Sequence, residues 1–307
     1  MAESKIATCT NVTITSTDGW PLAAICLTPP TSPKGVLMVC SGTGIRKEFY
    51  LKFGTWLSSH GYIIVLFDYR GIGGSKSDAF THCELSMTAW GKLDMTSVLK
   101  WINTHYTGFP TYLIGHSIGG QLIGLLPNNN TLDGVLAIGA STGNWRHMAT
   151  VRKYVAAFMM HVYLPFTARF FNYIPLRIIG FGEDLPRKVA QEWAMWCRDK
   201  QYFKKWLLDG AQGNTSQHYF HQLTCFYFHL SFDDDYIATD RTIGDLIACY
   251  PKAIKKVVRY APKYFKKKAV GHVEFFRSSH QELWPLVLQP LESVIQPDTV
   301  SNETNSQ

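Results

Sequence analysis

One six-residue stretch, Gly115-His116-Ser117-Ile118-Gly119-Gly120, constrains the fold of this chain more than any other. It matches G-x-S-x-G in a telling setting. Pro110-Thr111-Tyr112-Leu113-Ile114 before it reads as a short buried strand, and Gly120 to Leu126 after it as a helix stopped by Pro127. A strand turning directly into a helix sets the serine on a strained elbow, its hydroxyl raised above the sheet edge. Gly115 and Gly119 remove side chains that would crowd the turn and the passing helix. An elbow of this kind makes Ser117 a candidate nucleophile.

The rest of the chain supplies a sheet to carry that elbow. Val12 to Thr15 and Leu22 to Leu27 flank the turn Thr17-Asp18-Gly19 as a β-ribbon. Gly35 to Cys40 and Tyr62 to Phe67 read as buried strands, with a helix from about Glu48 to His60 between them. A second helix covers about Ser86 to His105, and a sixth strand follows the elbow at Gly134 to Gly139. Strand and helix in alternation predict a mostly parallel sheet flanked by helices. The alternation breaks from Ser141 to about Gly213, where the pattern is helical with no clear strand. Residues 141–210 hold 14 aromatics in 70 positions. Val189, Trp193 and Trp196 lie at i, i+4 and i+7, which predicts one amphipathic helix from Arg187 to Asp199 whose stripe packs onto the core. Strands near Leu223–Leu230 and Lys255–Tyr260, with helices near Arg241–Cys249 and Gln281–Val294, complete an eight-stranded sheet. The expected organisation is a core at 1–140, a helical lid at 141–222 inserted after the sixth strand, more core at 223–295 and a disordered polar tail at 296–307.

Composition limits the partners. Apolar residues make up 46% of the 307, enough for a large core, and no apolar run is long enough to span a membrane. The start lacks the apolar core of a secretory signal. Seven scattered cysteines with no C-x-x-C pair fit a reducing compartment and argue against a disulfide framework or zinc site. A cytoplasmic protein without metal or cofactor is expected. The net charge is +7, and Lys252–Lys268 alone carries eight Lys or Arg and no acid. Val257, Val258 and Tyr260 interrupt that run in a strand-like pattern, so it reads as a late strand with a solvated rim. It predicts at most weak association with anionic surfaces, and no nucleic-acid partner is expected.

A serine nucleophile needs a base, and the base needs an orienting acid. A serine on a strand-to-helix elbow takes these partners in the chain order Ser, acid, His. After the lid the sequence offers Ser231-Phe232-Asp233-Asp234-Asp235-Tyr236-Ile237-Ala238. Asp235 is favoured, because Ile237-Ala238 follows at an offset that would anchor the loop; Asp234 is the alternative. For the base, Gly271-His272-Val273-Glu274-Phe275-Phe276 fits the slot after the last strand. Gly271 frees the backbone to place the His272 ring, and the aromatic pair can bury the loop. His280, His147, His161, His218 and His221 are weaker candidates. Two backbone N–H groups would form an oxyanion hole: that of Ile118, after the nucleophile, and that of Thr43 in Ser41-Gly42-Thr43-Gly44. Gly42-Thr43-Gly44 is not a dinucleotide fingerprint, because position 47 is Lys47 and no helix starts directly there.

With these residues placed, the chain resembles the α/β-hydrolase superfamily over nearly its whole length. Asp68-Tyr69-Arg70-Gly71-Ile72-Gly73-Gly74-Ser75 is similar to that superfamily's D-x-R-G-x-G-x-S turn after the fourth strand. More narrowly, it resembles a branch of bacterial serine hydrolases related to the serine-aminopeptidase and monoacylglycerol-lipase-like group. The segments that carry this likeness are Ser41 to Gly44, Gly182-Glu183-Asp184-Leu185-Pro186, Trp193 to Arg198 and Gly271 to Arg277. The resemblance implies the fold and a Ser-Asp-His triad, not a substrate. The oxyanion loop there usually begins His-Gly; here it begins Ser41-Gly42, so support of the loop by a histidine ring is expected to be lost. A serine esterase acting on apolar acyl or aryl esters is the leading expectation. Thioesterase, acyltransferase and peptidase activities share the machinery, and a non-catalytic binding protein on the same fold is the reading from another class.

Overall fold

A computed structural model describes residues 7–77, 84–208 and 217–295. The expected tail at 296–307 lies outside the described residues. Among the described residues, eight strands form the main sheet: β1 (Thr8–Thr15), β2 (Pro21–Thr28), β3 (Gly35–Cys40), β4 (Tyr62–Phe67), β5 (Thr111–His116), β6 (Gly134–Ile138) and, after a long insertion, β9 (Phe226–Phe232) and β10 (Ile254–Tyr260). Their order is β1-β2-β4-β3-β5-β6-β9-β10. β2 runs antiparallel to both β1 and β4, and the remaining pairs are parallel.

The apolar runs follow from burial on both faces. In β3, Val36, Met38 and Cys40 join the core on one side of the sheet, while Leu37 and Val39 join the other. β4 divides in the same way, with Ile63, Val65 and Phe67 against Tyr62, Ile64 and Leu66. Helices Leu51–Ser59 and Pro285–Ile295 cover the second face, and helix Thr96–His105 covers the first.

The order around β3 places the site. The chain steps from β3 to β4 on one side and then crosses to β5 on the other, so the connections diverge between β3 and β5. Ligands of open α/β sheets sit at such a switch point, beyond the carboxyl ends of the strands. Ser117 follows the end of β5, and the loop Ser41–Gly44 follows the end of β3.

In the insertion between β6 and β9, the regular structure of the described residues is mostly helical. Helix Arg152–Phe158 continues through a π-type turn, Met159–Tyr163, into Leu164–Thr167, and helix Arg187–Arg198 follows later. The expectation of no strand here is corrected by a small antiparallel ribbon, β7 (Tyr173–Ile174) with β8 (Leu185–Pro186). Two residues per strand is too short for a period-2 pattern to register in the sequence. Val189 and Trp196 are fully buried in the same core as the sheet, whereas Trp193 is half-buried and turns towards a cavity. Thr88 ties the insertion to the core: its N–H and hydroxyl both donate to the Glu192 carboxylate.

Candidate active site

The elbow has the expected local strain. Ser117 has φ 52° and ψ −115°, outside the regions open to most side chains. Its neighbours leave no room to relax. A Cβ on Gly119 would stand 2.3 Å from the Cys40 carbonyl oxygen, and one on Gly115 would stand 2.6 Å from the Gly120 backbone. Ile118 begins the helix Ile118–Gln121, so its N–H has no acceptor within the helix.

Three side chains, carried by the segments that follow β5, β9 and β10, meet beside this elbow. Ser117 Oγ lies 3.0 Å from His272 Nε2, and His272 Nδ1 lies 2.7 Å from Asp235 Oδ2. The other oxygen of Asp235 accepts the N–H groups of Ile237 and Ala238, at 2.9 and 3.1 Å. Burial alone would raise the Asp235 carboxyl. The adjacent His272 charge and these hydrogen bonds hold it below the usual carboxylate value, so it stays ionised and acts as acceptor. Gly271, before the histidine, has φ +57°, a conformation that favours glycine.

Asp234 is turned elsewhere. Its Oδ2 accepts the N–H groups of Val270 and Gly271, at 2.8 and 3.0 Å, and so braces the loop that carries His272. Among the weaker histidines, His280 Nε2 bonds the Ala269 carbonyl at 3.0 Å and His147 faces Asp245.

A buried relay that the sequence did not announce lies behind the site. Gly42 N–H donates to Tyr50 Oη at 2.9 Å, Tyr50 Oη lies 2.7 Å from His116 Nδ1, and His116 Nε2 lies 2.9 Å from the His272 carbonyl oxygen. Directions follow from the end of the chain. A carbonyl can only accept, so His116 Nε2 carries the proton, Nδ1 accepts from the tyrosine hydroxyl, and that oxygen accepts from Gly42. Burial, with the nearby His272 charge, pushes the His116 imidazole down to about 3, so the ring stays neutral. The expected loss of histidine support for the oxyanion loop is therefore corrected. A histidine ring does stand behind Gly42, supplied by the elbow rather than by the loop. A Cβ on Gly42 would lie 2.8 Å from His116 Nδ1, so only glycine fits. Position x in G-x-S-x-G was the available signal; its partner Tyr50, 66 residues away, was not visible as one.

The turn after β4 supports the same loop from outside. Asp68 accepts from the Lys47 N–H and ammonium, at 2.7 and 2.8 Å, pinning the segment that leaves Ser41–Gly44. From the insertion, Glu183 N–H donates to the Gly44 carbonyl at 2.8 Å. Together these walls enclose a cavity of about 1330 Å³ that contains Ser117, His272 and Thr43, with Met148, Met160 and Trp193 among its apolar lining. Among the described residues no three His, Cys, Asp or Glu side chains converge as a metal site, and no helix is long and apolar enough to cross a membrane.

Sheet topology, elbow and cavity define an α/β-hydrolase. A family model described as "Serine aminopeptidase, S33", of hydrolase type, matches residues 31–207, and the chain belongs to that family of serine-dependent α/β-hydrolases. No curated protein sequence matches it. Among solved structures it is similar to a soluble variant of monoglyceride lipase from Saccharomyces cerevisiae, at TM-score 0.67 and 15% identity over 98% of each chain. It is also similar to a thermostable carboxyl esterase from Bacillus coagulans, at TM-score 0.62 and 14% identity over 94% of this chain and 99% of that one. An esterase of Pyrococcus furiosus aligns at TM-score 0.60 and 14% identity, over 93% and 91%. At these identities the likeness is one of fold.

Proposed function

We propose that this protein hydrolyses carboxylic esters through an acyl-serine intermediate. The observation that carries the reading is the unbroken contact chain Ser117–His272–Asp235 at 3.0 and 2.7 Å. Neutral His272 takes the Ser117 proton through Nε2 as Oγ attacks the ester carbonyl. Ionised Asp235 keeps the other ring proton on Nδ1 and stabilises the imidazolium that forms. The N–H groups of Ile118 and Thr43 receive the negative oxygen of the tetrahedral intermediate. Collapse of that intermediate breaks the ester C–O bond, and His272 returns the proton to the departing alkoxide. Water, deprotonated by the same ring, then releases the acid and restores Ser117. The relay through Tyr50 and His116 holds the oxyanion loop and the base loop in one register.

The apolar lining suits an acyl or aryl group, and the esterase and lipase names of the structural neighbours agree with that. The insertion at 141–222 is read as the lid over this pocket, and a reducing cytoplasmic setting suits the free cysteines. Two measurements test the proposal. Fluorophosphonate should label the wild type and not Ser117→Ala; equal labelling of both removes Ser117 as nucleophile. Across p-nitrophenyl esters from acetate to octanoate, kcat/KM should rise by up to about fourfold per carbon, since each buried methylene is worth ~0.8 kcal/mol. A flat or falling series would sink the acyl pocket, and faster cleavage of an aminoacyl p-nitroanilide would favour a peptidase instead.

A further inference from the structure

The helix Arg152–Thr167 of the insertion is apolar on both faces, which is unusual for a surface helix. Its inward stripe, Met160, Leu164 and Ala168, is buried as expected. Its outward stripe is also apolar: Val151, Tyr154, Val155, Phe158, Val162 and Phe166 all lie open to solvent, at the i, i+3, i+4, i+7 spacing of one helical face. Ile178, 84% exposed, and Phe181 extend the same character into the loop beyond. Single exposed apolar residues need no explanation, but a contiguous set marks a contact surface.

The charge around this stripe is mostly positive. From Gly134 to Gly182 the chain carries Arg146, Arg152, Lys153, Arg169 and Arg177, and no Asp or Glu; Glu183 and Asp184, which follow, are engaged with Arg177, so the cations beside the stripe are Arg146, Arg152, Lys153 and Arg169. A protein partner with a matching apolar face would need acidic groups arranged against these cations. An anionic lipid surface offers both features at once, hydrocarbon below and negative headgroups around it. The patch is also continuous with the cavity mouth. Val151, Arg152 and Phe181 line the cavity that holds Ser117 and belong to the exposed patch.

We propose that this face of the insertion docks the protein onto anionic lipid surfaces, with the cavity mouth opening at the interface. The basic run Lys252–Lys268 is not the seat of that attachment: its exposed large apolar or aromatic side chains are three, Ile254, Val257 and Tyr264, split between the sheet edge and the turn after it, and they form no helical stripe. Docking is a binding property and does not require turnover, although its use for delivering acyl substrates rests on the proposed hydrolysis.

The test uses full-length Ser117→Ala, so that binding is read without catalysis. Sedimentation with vesicles of phosphatidylcholine containing 30% phosphatidylserine should show binding that weakens in high salt and with phosphatidylcholine alone. Phe158→Glu/Phe166→Glu, added to it, should lower the partition coefficient at least tenfold. Neither residue lines the cavity. In the wild-type background the same pair should leave the melting temperature unchanged and the rate on soluble p-nitrophenyl acetate within about twofold, which separates lost docking from lost folding. Lys255→Ala/Lys256→Ala should bind vesicles as the parent does. No partition by Ser117→Ala, equal partition by the double-glutamate variant, or loss confined to the lysine variant would each overturn the proposal. So would a dimer that the glutamates dissociate, since the face would then be covered by a second copy. If vesicles bind but no ester is cleaved by the wild type, the docking stands and the hydrolase reading falls.

Discussion

Asp235→Asn is the substitution for which the geometry forces the answer. Asp235 Oδ1 receives two backbone N–H groups, from Ile237 and Ala238, and Oδ2 faces one ring nitrogen of His272. The variant must choose which end carries its NH2. Placing it against Ile237 and Ala238 would leave buried donors facing donors, at about 1–3 kcal/mol for each unsatisfied group. The carbonyl end therefore stays on the two N–H groups, and the NH2 faces His272 Nδ1. That nitrogen must then accept, so the ring proton moves to Nε2, opposite Ser117 Oγ at 3.0 Å. A ring protonated there cannot take the serine proton. An imidazole locked in the wrong tautomer costs about 10⁴ in kcat in a serine triad, or about 5.5 kcal/mol of transition-state stabilisation. Asp234→Asn is the control. Its amide oxygen can still accept from Val270 and Gly271, and its NH2 can point to solvent. Its rate on p-nitrophenyl butyrate should stay within about threefold of wild type. Asp235→Asn activity within tenfold of wild type, with folding intact by circular dichroism, would mean that Asp235 does not set the His272 tautomer. An equal loss in Asp234→Asn would overturn the tautomer assignment as well.

Two further outcomes are expected. Tyr50→Phe strips the acceptor from Gly42 N–H and the donor from His116 Nδ1. It should destabilise the fold by about 2–4 kcal/mol in urea unfolding, from two orphaned buried groups, and should lower kcat at least tenfold with KM little changed; a kcat within twofold would remove the relay from the mechanism. Burial pushes the His229 imidazole on β9 down from 6.5 to about 4, while its Nε2 bonds the Ala140 carbonyl. A histidine held neutral contributes stability that is complete above pH 6.5 and drains as pH falls towards 4. The wild type should thus lose about 2 kcal/mol more than His229→Gln between pH 7 and pH 5, and parallel losses in the two proteins would contradict this.

The sequence exposed those parts of the site that are local. The elbow announces itself because Gly115, Ser117 and Gly119 are neighbours and their crowding is a backbone matter. The Asp235 loop was readable for a similar reason, since the groups that hold its Oδ1 are two and three residues ahead. What stayed hidden depends on contacts across the fold. Tyr50 reads as one more aromatic in a helix until β3 and β5 come side by side and bring it to His116. Asp234 and Asp235 are chemically alike in the sequence, and only the distant loop at Val270–Gly271 gives Asp234 a different task. The stripe Val189, Trp193 and Trp196 showed the helix but not its division between core and cavity, because helical spacing defines a face without saying what lies opposite each residue.

The edge strand β10 gives the basic run another meaning. β9 pairs with one side of it, and no other described strand pairs with its outer side. A bare strand edge with exposed Ile254 and Val257 invites a second chain to add on, the first step of β-aggregation. Lys255 and Lys256 sit between those two residues, where an incoming copy would have to set like charges against each other. Two of the lysines in the basic run thus guard the open edge of the sheet. Conditions that mask those lysines, such as dense polyanions or lysine acetylation, would expose a nucleus for insoluble assembly while leaving the folded interior untouched.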